Sequence, residues 1–327
     1  MDGTPLSTIL DPTAAELLAD AIAGLTAPAK SLSPKWLYDR QGSELFERIT
    51  TLPEYHLTRI EAAILRDNAA TLADCVPGGG ALVELGSGAS VKTRTLLDAG
   101  RHFGAYVPID ISADFLHATA NDLRARYPTL PIHPVVGDFT APVTLPDAAA
   151  DLPKIGFFPG STIGNLPPAM ARSLLANALA WPRIQGFILG ADLVGDPDDM
   201  IAAYDDSQGV TAAFILNILA RLNRDVGADF DLSAFAYQAQ WMPNDAQIEM
   251  RLISHKAQTA MLGATEIRFA ADEPIVISSS RKYTPDSLAA LAQSAGWRVN
   301  TLLTDAAPRF AVAILRPETS QYRRPAA

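Results

Sequence analysis

The chain has 327 residues, of which 48% are hydrophobic and 19% charged, a composition typical of a globular protein with a substantial core. Its formal net charge of −10 argues against a nucleic-acid partner, because such a partner requires a basic surface. A single cysteine, Cys75, excludes an intramolecular disulfide and a cysteine-based zinc cluster. No apolar run in the sequence is long enough to span a bilayer, and we expect a cytoplasmic monomer that needs no metal and no membrane.

The first 60 residues have the pattern of helices, and Asp11 is expected to begin the first of them. From residue 81 onward, short apolar runs alternate with helical segments. This alternation predicts a parallel sheet with helices on both faces, the Rossmann-like α/β fold class. The predicted strands are 82–85, 105–109, 132–136, 155–158 and 186–189, and the helices between them include 113–127 and 169–180.

The segment 196–285 breaks this alternation, because helical stretches are followed there by strand-like stretches. Its predicted elements are helices at 198–204 and 210–225 and strands near 235–242, 248–254 and 266–269. A helix at 285–295 and apolar runs at 299–303 and 310–315 then follow. We predict a doubly wound domain with a second α+β lobe, which is formed by the N-terminal segment and the insertion. The predicted bounds are 62–195 plus 286–317 for the domain, 8–61 plus 196–285 for the lobe, and 318–327 for a loose tail.

A glycine-rich turn follows the first strand of the alternating region, within the segment ALVELGSGASVKT at 81–93. Gly86 and Lys92 fit a phosphate-binding loop, but Val91 stands where that loop needs a glycine. The same valine takes the place of the third glycine in a dinucleotide-binding fingerprint. A Cβ atom at this position obstructs both kinds of phosphate site, so an NTPase and a nicotinamide-dependent oxidoreductase are disfavoured.

Acidic residues at later strand ends favour a third ligand, S-adenosylmethionine (SAM). Gly86 and Gly88 allow a ligand to approach the backbone, and Asp110, at the end of the second strand, can accept hydrogen bonds from ribose hydroxyls. Asp138 and Phe139 follow the third strand and can hold an adenine. An aspartate at a strand end is also often a helix cap, and a phenylalanine beside it is more often part of the core. The order and spacing of these residues together favour a SAM-dependent methyltransferase.

Five further segments are distinctive: PKWLYD at 34–39, LPEY at 52–55, FPGSTIGN at 158–165, AYDD at 203–206 and IEM at 248–250. With these motifs the chain resembles the histidine-specific SAM-dependent Nα-methyltransferases of the ergothioneine pathway, over residues 25–316. The resemblance implies transfer of methyl groups from SAM to the α-amino group of free histidine, up to the trimethylated betaine. It also implies a Rossmann-like methyltransferase domain with a second lobe.

The resemblance assigns roles to individual residues. The implied SAM site comprises Tyr38, Gly86, Lys92, Asp110, Asp138 and Phe139, to which the glycine loop adds Gly88. The implied contacts to the amine and carboxylate of the amino acid are Tyr55, Gly160, Asn165 and Tyr204, with the last three nearest the chemistry. The implied pocket for the amino-acid side chain includes Met250, Ser278 and Ser280. For Asn165 the alternative is a turn residue before two prolines.

The chain departs from the family pattern at three positions. The family's imidazole-binding segment has the form Thr-Glu-x-Ser-x-Lys-Tyr/Phe, whereas here Ile277 replaces the threonine and Ser278 the glutamate. Ile215 stands where asparagine is usual. A charge-assisted hydrogen bond to a carboxylate contributes about 1.5–3 kcal/mol, so its loss would weaken selectivity for imidazole.

Several interpretations stay open at this point. The acceptor is histidine, or it is an amino acid with a neutral or aromatic side chain. The segment 277–283 can also be a strand whose alignment with the family pattern is shifted, in which case Ser278 does not replace the glutamate. In a different class, the chain is a SAM-binding protein without catalytic activity.

Overall fold

The computed structural model describes residues 12–100 and 102–318. These residues form two compact units. The accessory unit contains the described residues up to His56 together with Asp196–Ser280, and the sheet unit contains Leu57–Gly195 and the described residues from Arg281 onward. Asp11 and residues 8–10 lie outside the described residues, as does the predicted tail apart from Glu318.

The helices and strands alternate along the sheet unit and are clustered by type in the accessory unit. The helices are α1 (Pro12–Thr26), α2 (Arg40–Thr51), α3 (Leu57–Asp67), α4 (Ala69–Ala73), α5 (Val91–Ala99), α6 (Ala113–Arg126), α7 (Asp147–Ala150), α8 (Pro168–Leu179), α9 (Pro197–Ala202), α10 (Val210–Val226) and α11 (Pro285–Ser294). The strands are β1 (Ala81–Leu85), β2 (Ala105–Asp110), β3 (Val135–Val136), β4 (Lys154–Phe158), β5 (Ile184–Asp192), β6 (Phe235–Met242), β7 (Gln247–Ser254), β8 (Gln258–Leu262), β9 (Thr265–Phe269), β10 (Pro274–Arg281), β11 (Trp297–Thr304) and β12 (Phe310–Pro317). Short 3₁₀ turns lie at Pro34–Leu37, Thr162–Asn165 and Leu232–Ala234.

The sheet unit is built on a seven-stranded sheet in the order β11-β12-β5-β4-β1-β2-β3. Strands β1 to β5 pair in parallel, whereas β12 is antiparallel to both of its neighbours. Every residue of β1 and β4 is buried, as expected for strands that helices cover on both faces. The predicted Rossmann-like sheet, with parallel strands that helices cover on both faces, is therefore confirmed.

The strand order reverses between β1 and β4. From β1 the sheet continues to β2 and β3 on one side, and from β4 to β5 on the other, while β1 and β4 themselves pair, with Leu82 opposite Ile155. In open α/β sheets, ligands bind beside such a reversal, at the carboxyl ends of the strands. The loops at 86–90, after β1, and 159–165, after β4, therefore lie next to each other at the expected ligand-binding edge.

Two strand predictions differ from the structure. The strand expected at 132–136 is regular only at Val135 and Val136, because Pro134 lacks the backbone N–H that a longer ladder needs. Ile132 instead forms an isolated bridge with Tyr106. The strand β8 was not predicted from the sequence, and it pairs with β9 as a short antiparallel hairpin.

The accessory unit combines helices with a three-stranded sheet in the order β10-β7-β6. Helix α10 packs against α1 and α2 and buries an apolar face that includes Ile218 and Leu222. Its Arg221 donates a hydrogen bond of 2.9 Å to the carbonyl oxygen of Trp36 and so links the helix to the first 3₁₀ turn. In the described part of the chain, no helix combines the length and the apolar character that crossing a bilayer would require.

Candidate functional site

The glycine loop begins directly after β1. Gly86 and Gly88 have φ angles of +63° and +47°, in the left-handed region that glycine adopts without strain. Asp110, at the end of β2, accepts the N–H of Gly88 on Oδ2 at 2.9 Å and the N–H of Ser112 on Oδ1 at 3.0 Å. An ionised carboxylate has about four acceptor positions, so Asp110 can fix this loop and still accept hydrogen bonds from a ligand.

The predicted adenine contacts lie beside this loop. Asp138 accepts hydrogen bonds from the backbone N–H and the hydroxyl of Thr140 at 2.8 and 2.6 Å. The ring of Phe139 packs edge-on against Phe158 with 5.3 Å between centroids. A Cβ atom on Gly86 would lie 3.3 Å from the Phe139 ring, so the structure brings the glycine loop and this ring into contact.

A buried carboxyl group, to which the sequence interpretation assigned no role, supports the glycine loop through a chain of hydrogen bonds. Glu84 in β1 is 2% exposed and accepts hydrogen bonds from the hydroxyls of Thr93 and Tyr106. The Tyr106 hydroxyl also lies 3.0 Å from Oγ of Ser90, which has a left-handed φ of 50°. Burial raises the pKa of Glu84 to about 7, although hydrogen bonds from Thr93 and Tyr106 oppose the shift. The sequence signal was an acidic residue inside an apolar strand.

Lys92 lies in the first turn of α5 and forms an ion pair with Glu61 of α3. Glu61 also accepts the backbone N–H of Gly160, at 2.8 Å to Oε1 and 3.0 Å to Oε2. Sequence reasoning selected Lys92 and Gly160 but missed Glu61, which connects them. The signal was present, because Glu61 interrupts the otherwise apolar face of α3.

The loop after β4 is held by backbone geometry and by one side chain. Gly160 has a φ of +85° and Ser161 a φ of 57°. The Ser161 hydroxyl accepts the backbone N–H of Asp192 at 2.9 Å. Asn165 is the last residue of the 3₁₀ turn Thr162–Asn165 and is half-buried, so its backbone position is fixed by this turn.

In the accessory unit, three of the residues assigned to the amino acid lie together. The rings of Tyr55 and Tyr204 pack edge to face with 6.0 Å between centroids. The Tyr204 hydroxyl lies 2.8 Å from Oγ of Ser280, which is 2% exposed. Tyr237 of β6, which sequence reasoning missed, donates a hydrogen bond of 2.5 Å to the carbonyl oxygen of Tyr204.

The two substituted positions of β10 lie on opposite faces of the strand. Ser278 and Ser280 are two residues apart and therefore share a face, whereas Ile277 is on the other face and is 1% exposed. Met250 is buried in β7, the strand that neighbours β10 in the sheet. Of the two changes in this segment, the one at Ser278 therefore lies on the face of Ser280.

Tyr38 also belongs to the accessory unit, whereas the other predicted SAM contacts belong to the sheet unit. Its ring packs edge-on against Phe46 and Phe214, at 5.6 and 5.5 Å between centroids, and its side chain is 48% exposed. Ile215, the third departure from the family pattern, is fully buried in α10. An apolar side chain there needs no hydrogen-bond partner, whereas a buried asparagine would.

Comparisons with known proteins identify the family of the chain. A family model described as histidine-specific methyltransferase, SAM-dependent, matches residues 17–317. The histidine N-alpha-methyltransferase of Mycolicibacterium smegmatis is 42% identical over 315 residues, which cover 93% of this chain and 96% of that protein. The protein of the same name from Mycobacterium tuberculosis is 42% identical, with 91% and 94% covered. Ergothioneine biosynthesis protein 1 of Neurospora crassa is 33% identical over 198 residues, which cover 58% of this chain and 22% of that protein.

The family model and both bacterial relatives extend over nearly the whole described chain, including both units. The resemblance inferred from the motifs is thereby confirmed. The chain belongs to the family of histidine-specific, SAM-dependent methyltransferases.

Proposed function

We propose that the protein transfers methyl groups from SAM to the α-amino group of free histidine, as a step of ergothioneine biosynthesis. The observation that carries the proposal is the pair of loops at the strand-order reversal. Asp110 fixes one of them through Gly88, and Glu61 fixes the other through Gly160. Each loop is thus held in place by a carboxylate at the edge where this fold binds ligands.

The residues of the glycine loop fit SAM. In the described structure, Oγ of Ser87 is buried without a hydrogen-bond partner, as expected of a group that a ligand completes. We assign Asp110 to the ribose hydroxyls, Asp138 to the adenine amine and Lys92 to the carboxylate of the methionine part. The ring of Phe139 and the exposed backbone of Gly86 would contact the adenosine, and Tyr38 would complete this set.

The amine end of histidine would be held by the loop after β4. We assign the carboxamide oxygen of Asn165 and the carbonyl oxygen of Gly160 as acceptors of the amine N–H groups, which aims the nitrogen lone pair. Tyr55 and Tyr204 would donate hydroxyl hydrogen bonds to the carboxylate. Bound SAM would supply an electrophilic methyl group. The lone pair of the neutral amine would form the new C–N bond while the C–S bond of the sulfonium breaks and S-adenosylhomocysteine leaves, and after the first and second transfers the nitrogen would release a proton to solvent before it accepts the next methyl group. Positioning of the amine therefore carries much of the rate.

The side-chain pocket is where the two open interpretations differ. The two bacterial relatives that are 42% identical are named histidine N-alpha-methyltransferases, and they favour histidine over a neutral or aromatic acceptor. We propose that Ser280 and Ser278, on one face of β10, bind the imidazole with neutral hydrogen bonds. Met250 would contribute an apolar wall.

The experiment that tests the proposal is incubation of the purified protein with SAM and single amino acids, followed by mass spectrometry. The panel contains histidine, tryptophan, tyrosine and phenylalanine. We expect histidine to gain methyl groups and to be the best acceptor. Preferential methylation of an aromatic amino acid would contradict the histidine assignment, and SAM binding without methylation of any acceptor would support the non-catalytic alternative. The monomeric state and the cytoplasmic location stay predictions, the first of which light scattering can check.

A further inference from the structure

We propose that Glu61 is a positioning residue. Its carboxylate holds Lys92, the proposed contact of the SAM carboxylate, and the backbone N–H of Gly160 in a fixed position relative to each other. The proposal rests on the proposed function, because it takes Lys92 as a contact of SAM and Gly160 as a contact of the amine. No motif of the sequence pointed to Glu61, and its role follows from burial, contacts and the space around its carboxylate.

The first observation is the burial of Glu61. It lies on the inner face of α3 beside Leu57, Ile60 and Ile64, and it is 1% exposed. Removing a carboxylate from water costs several kcal/mol unless it is paired and hydrogen-bonded. An apolar residue would fill this stripe without that cost, so the position of Glu61 indicates a role for its charge.

The second observation is the set of contacts. Both oxygens of Glu61 accept the N–H of Gly160, and Oε2 also pairs with Nζ of Lys92. A Cβ atom on Gly160 would lie 3.3 Å from Nζ of Lys92, so the two partners are themselves close. Lys92 follows the β1 loop and Gly160 follows β4. One carboxylate therefore joins the two loops across the strand-order reversal.

The third observation is the space that the carboxylate occupies. Gly190 of β5 faces Glu61, and a Cβ atom on Gly190 would overlap Oε1 of Glu61 and approach N of Gly160 to 3.2 Å. An alanine at this position would therefore displace the carboxylate without changing its charge. Because Gly190 has no side chain, β5 leaves the space that the buried carboxylate of Glu61 occupies.

These contacts define what Glu61 does. The side chain of Lys92 is 22% exposed, and its ammonium group has three donors, so it can bind Glu61 and a ligand carboxylate at the same time. The hydrogen bond from the Gly160 N–H to Glu61 fixes the orientation of the peptide group between Pro159 and Gly160. It thereby restrains the turn at Gly160, which sets the direction of the Gly160 carbonyl group. Glu61 thus sets the geometry of a cofactor contact and of an amine contact together.

The test uses Glu61→Gln and Gly190→Ala in the full-length protein. Glutamine can still accept the Gly160 N–H, but its amide cannot form an ion pair with Lys92. The matched control is Asp305→Asn. Like Glu61, Asp305 pairs with a basic side chain, that of Arg309, and accepts backbone N–H groups, but it lies in the turn between β11 and β12. Calorimetry measures the affinity for S-adenosylhomocysteine (SAH), the demethylated product, and circular dichroism checks the fold.

We expect E61Q and G190A each to weaken SAH binding about tenfold and to lower kcat with histidine by a similar factor, whereas D305N stays within about twofold of wild type. A double-mutant cycle with Lys92→Met provides a readout that a loss of stability alone would not move. The affinity of E61Q/K92M for SAH should equal that of K92M within about twofold, because the two residues act as a pair.

Wild-type SAH affinity in both E61Q and G190A, or additive effects of E61Q and K92M, would overturn the proposal. G190A moves the carboxylate but keeps its charge, and it carries the test if E61Q does not fold. SAH binding requires no acceptor, so a protein that does not methylate histidine would contradict the proposed function and leave the test of Glu61 intact.

Discussion

At the scale of single residues, Glu84 gives the chain a specific pH dependence. Burial raises its pKa from an ordinary 4.5 to about 7, so the folded protein binds this proton more tightly than the unfolded chain does. Its contribution to stability is fully present below pH 4.5 and is lost as the pH rises through about 7. Carboxylates with lowered pKa values, such as Asp206 and Asp39, change stability only at more acidic pH.

The corresponding prediction concerns Glu84→Gln. Glutamine can accept the hydrogen bonds of Thr93 and Tyr106 but does not titrate. Between pH 5 and pH 8, the free energy of unfolding of wild type should fall by roughly 2–3 kcal/mol more than that of E84Q, since one pKa unit corresponds to about 1.4 kcal/mol. Urea denaturation at both pH values measures this difference. Parallel pH profiles for the two proteins would show that Glu84 does not titrate in this range.

A second residue-scale prediction concerns Asn165→Ala. Asn165 is the last residue of a turn that backbone hydrogen bonds hold, so truncation of its side chain should leave the fold intact and the SAH affinity within about threefold of wild type. Loss of an acceptor that orients the amine should lower kcat by about a hundredfold. Initial rates at saturating SAM and histidine, together with SAH calorimetry, separate these effects. A variant with wild-type turnover would remove Asn165 from the chemistry.

A third prediction uses the substitution Ser278→Glu, which restores the carboxylate of the family pattern. If Ser278 faces the imidazole, a charge-assisted hydrogen bond should lower KM for histidine about tenfold. Ser279→Glu is the matched control, because the neighbouring residue of β10 projects to the opposite face. Equal KM values for S278E and wild type would place Ser278 outside the pocket.

At the scale of elements, the start of α10 depends on a side chain that precedes the helix. Asp206 accepts the backbone N–H groups of Val210 and Thr211 at 2.9 and 2.7 Å, which belong to the first turn. Burial acts to raise the pKa of Asp206, but these backbone hydrogen bonds outweigh it, and the pKa lies below its ordinary value. The same segment carries Tyr204, so capping of the helix also orders a predicted contact of the amino acid.

Asp206→Ala should therefore lower the free energy of unfolding by about 1–2 kcal/mol, the usual cost of losing a helix cap. KM for histidine should rise as well, because the segment that carries Tyr204 loses its anchor. The exposed neighbour provides the control, since Asp205→Ala should change stability by less than about 0.5 kcal/mol. Equal stability of the two variants would contradict the capping role.

The elements also show what sequence reasoning can and cannot reach. Strands such as β1 and β12 were predictable because continuous apolar runs are typical of covered sheets. The glycine loop and the loop after β4 were predictable from motifs. The position of Glu61 on an apolar helix face was visible in the sequence, but its contacts were not predictable, because Lys92, Gly160 and Gly190 come from three other segments and meet only in the folded sheet. Strand β8 was missed because its apolar residues Ala260, Met261 and Leu262 are consecutive in the sequence, although Met261 is exposed and only the other two are buried.

At the scale of the whole molecule, ligand binding should be visible as stability. A ligand that binds the folded state at 100 times its Kd adds about 2.7 kcal/mol to the free energy of unfolding. SAH should therefore raise the melting temperature by a few degrees, as measured by differential scanning fluorimetry. ATP with magnesium provides the control and should leave the melting temperature unchanged, because Val91 obstructs a phosphate site. A shift with ATP but not with SAH would reverse the assignment of the glycine loop.

The strand order has a further consequence for biosynthesis. β12, the last strand of the described chain, inserts between β5 and β11, and α3 packs against it. The helix that carries Glu61 thus acquires part of its support from a segment about 250 residues downstream, a distance that the ribosome covers at roughly 5–20 residues per second. For many seconds, the nascent chain would carry Asp110, Asp138 and Asn165 without a completed sheet to hold them. Ligand-binding competence should therefore arise as a late, single event in synthesis.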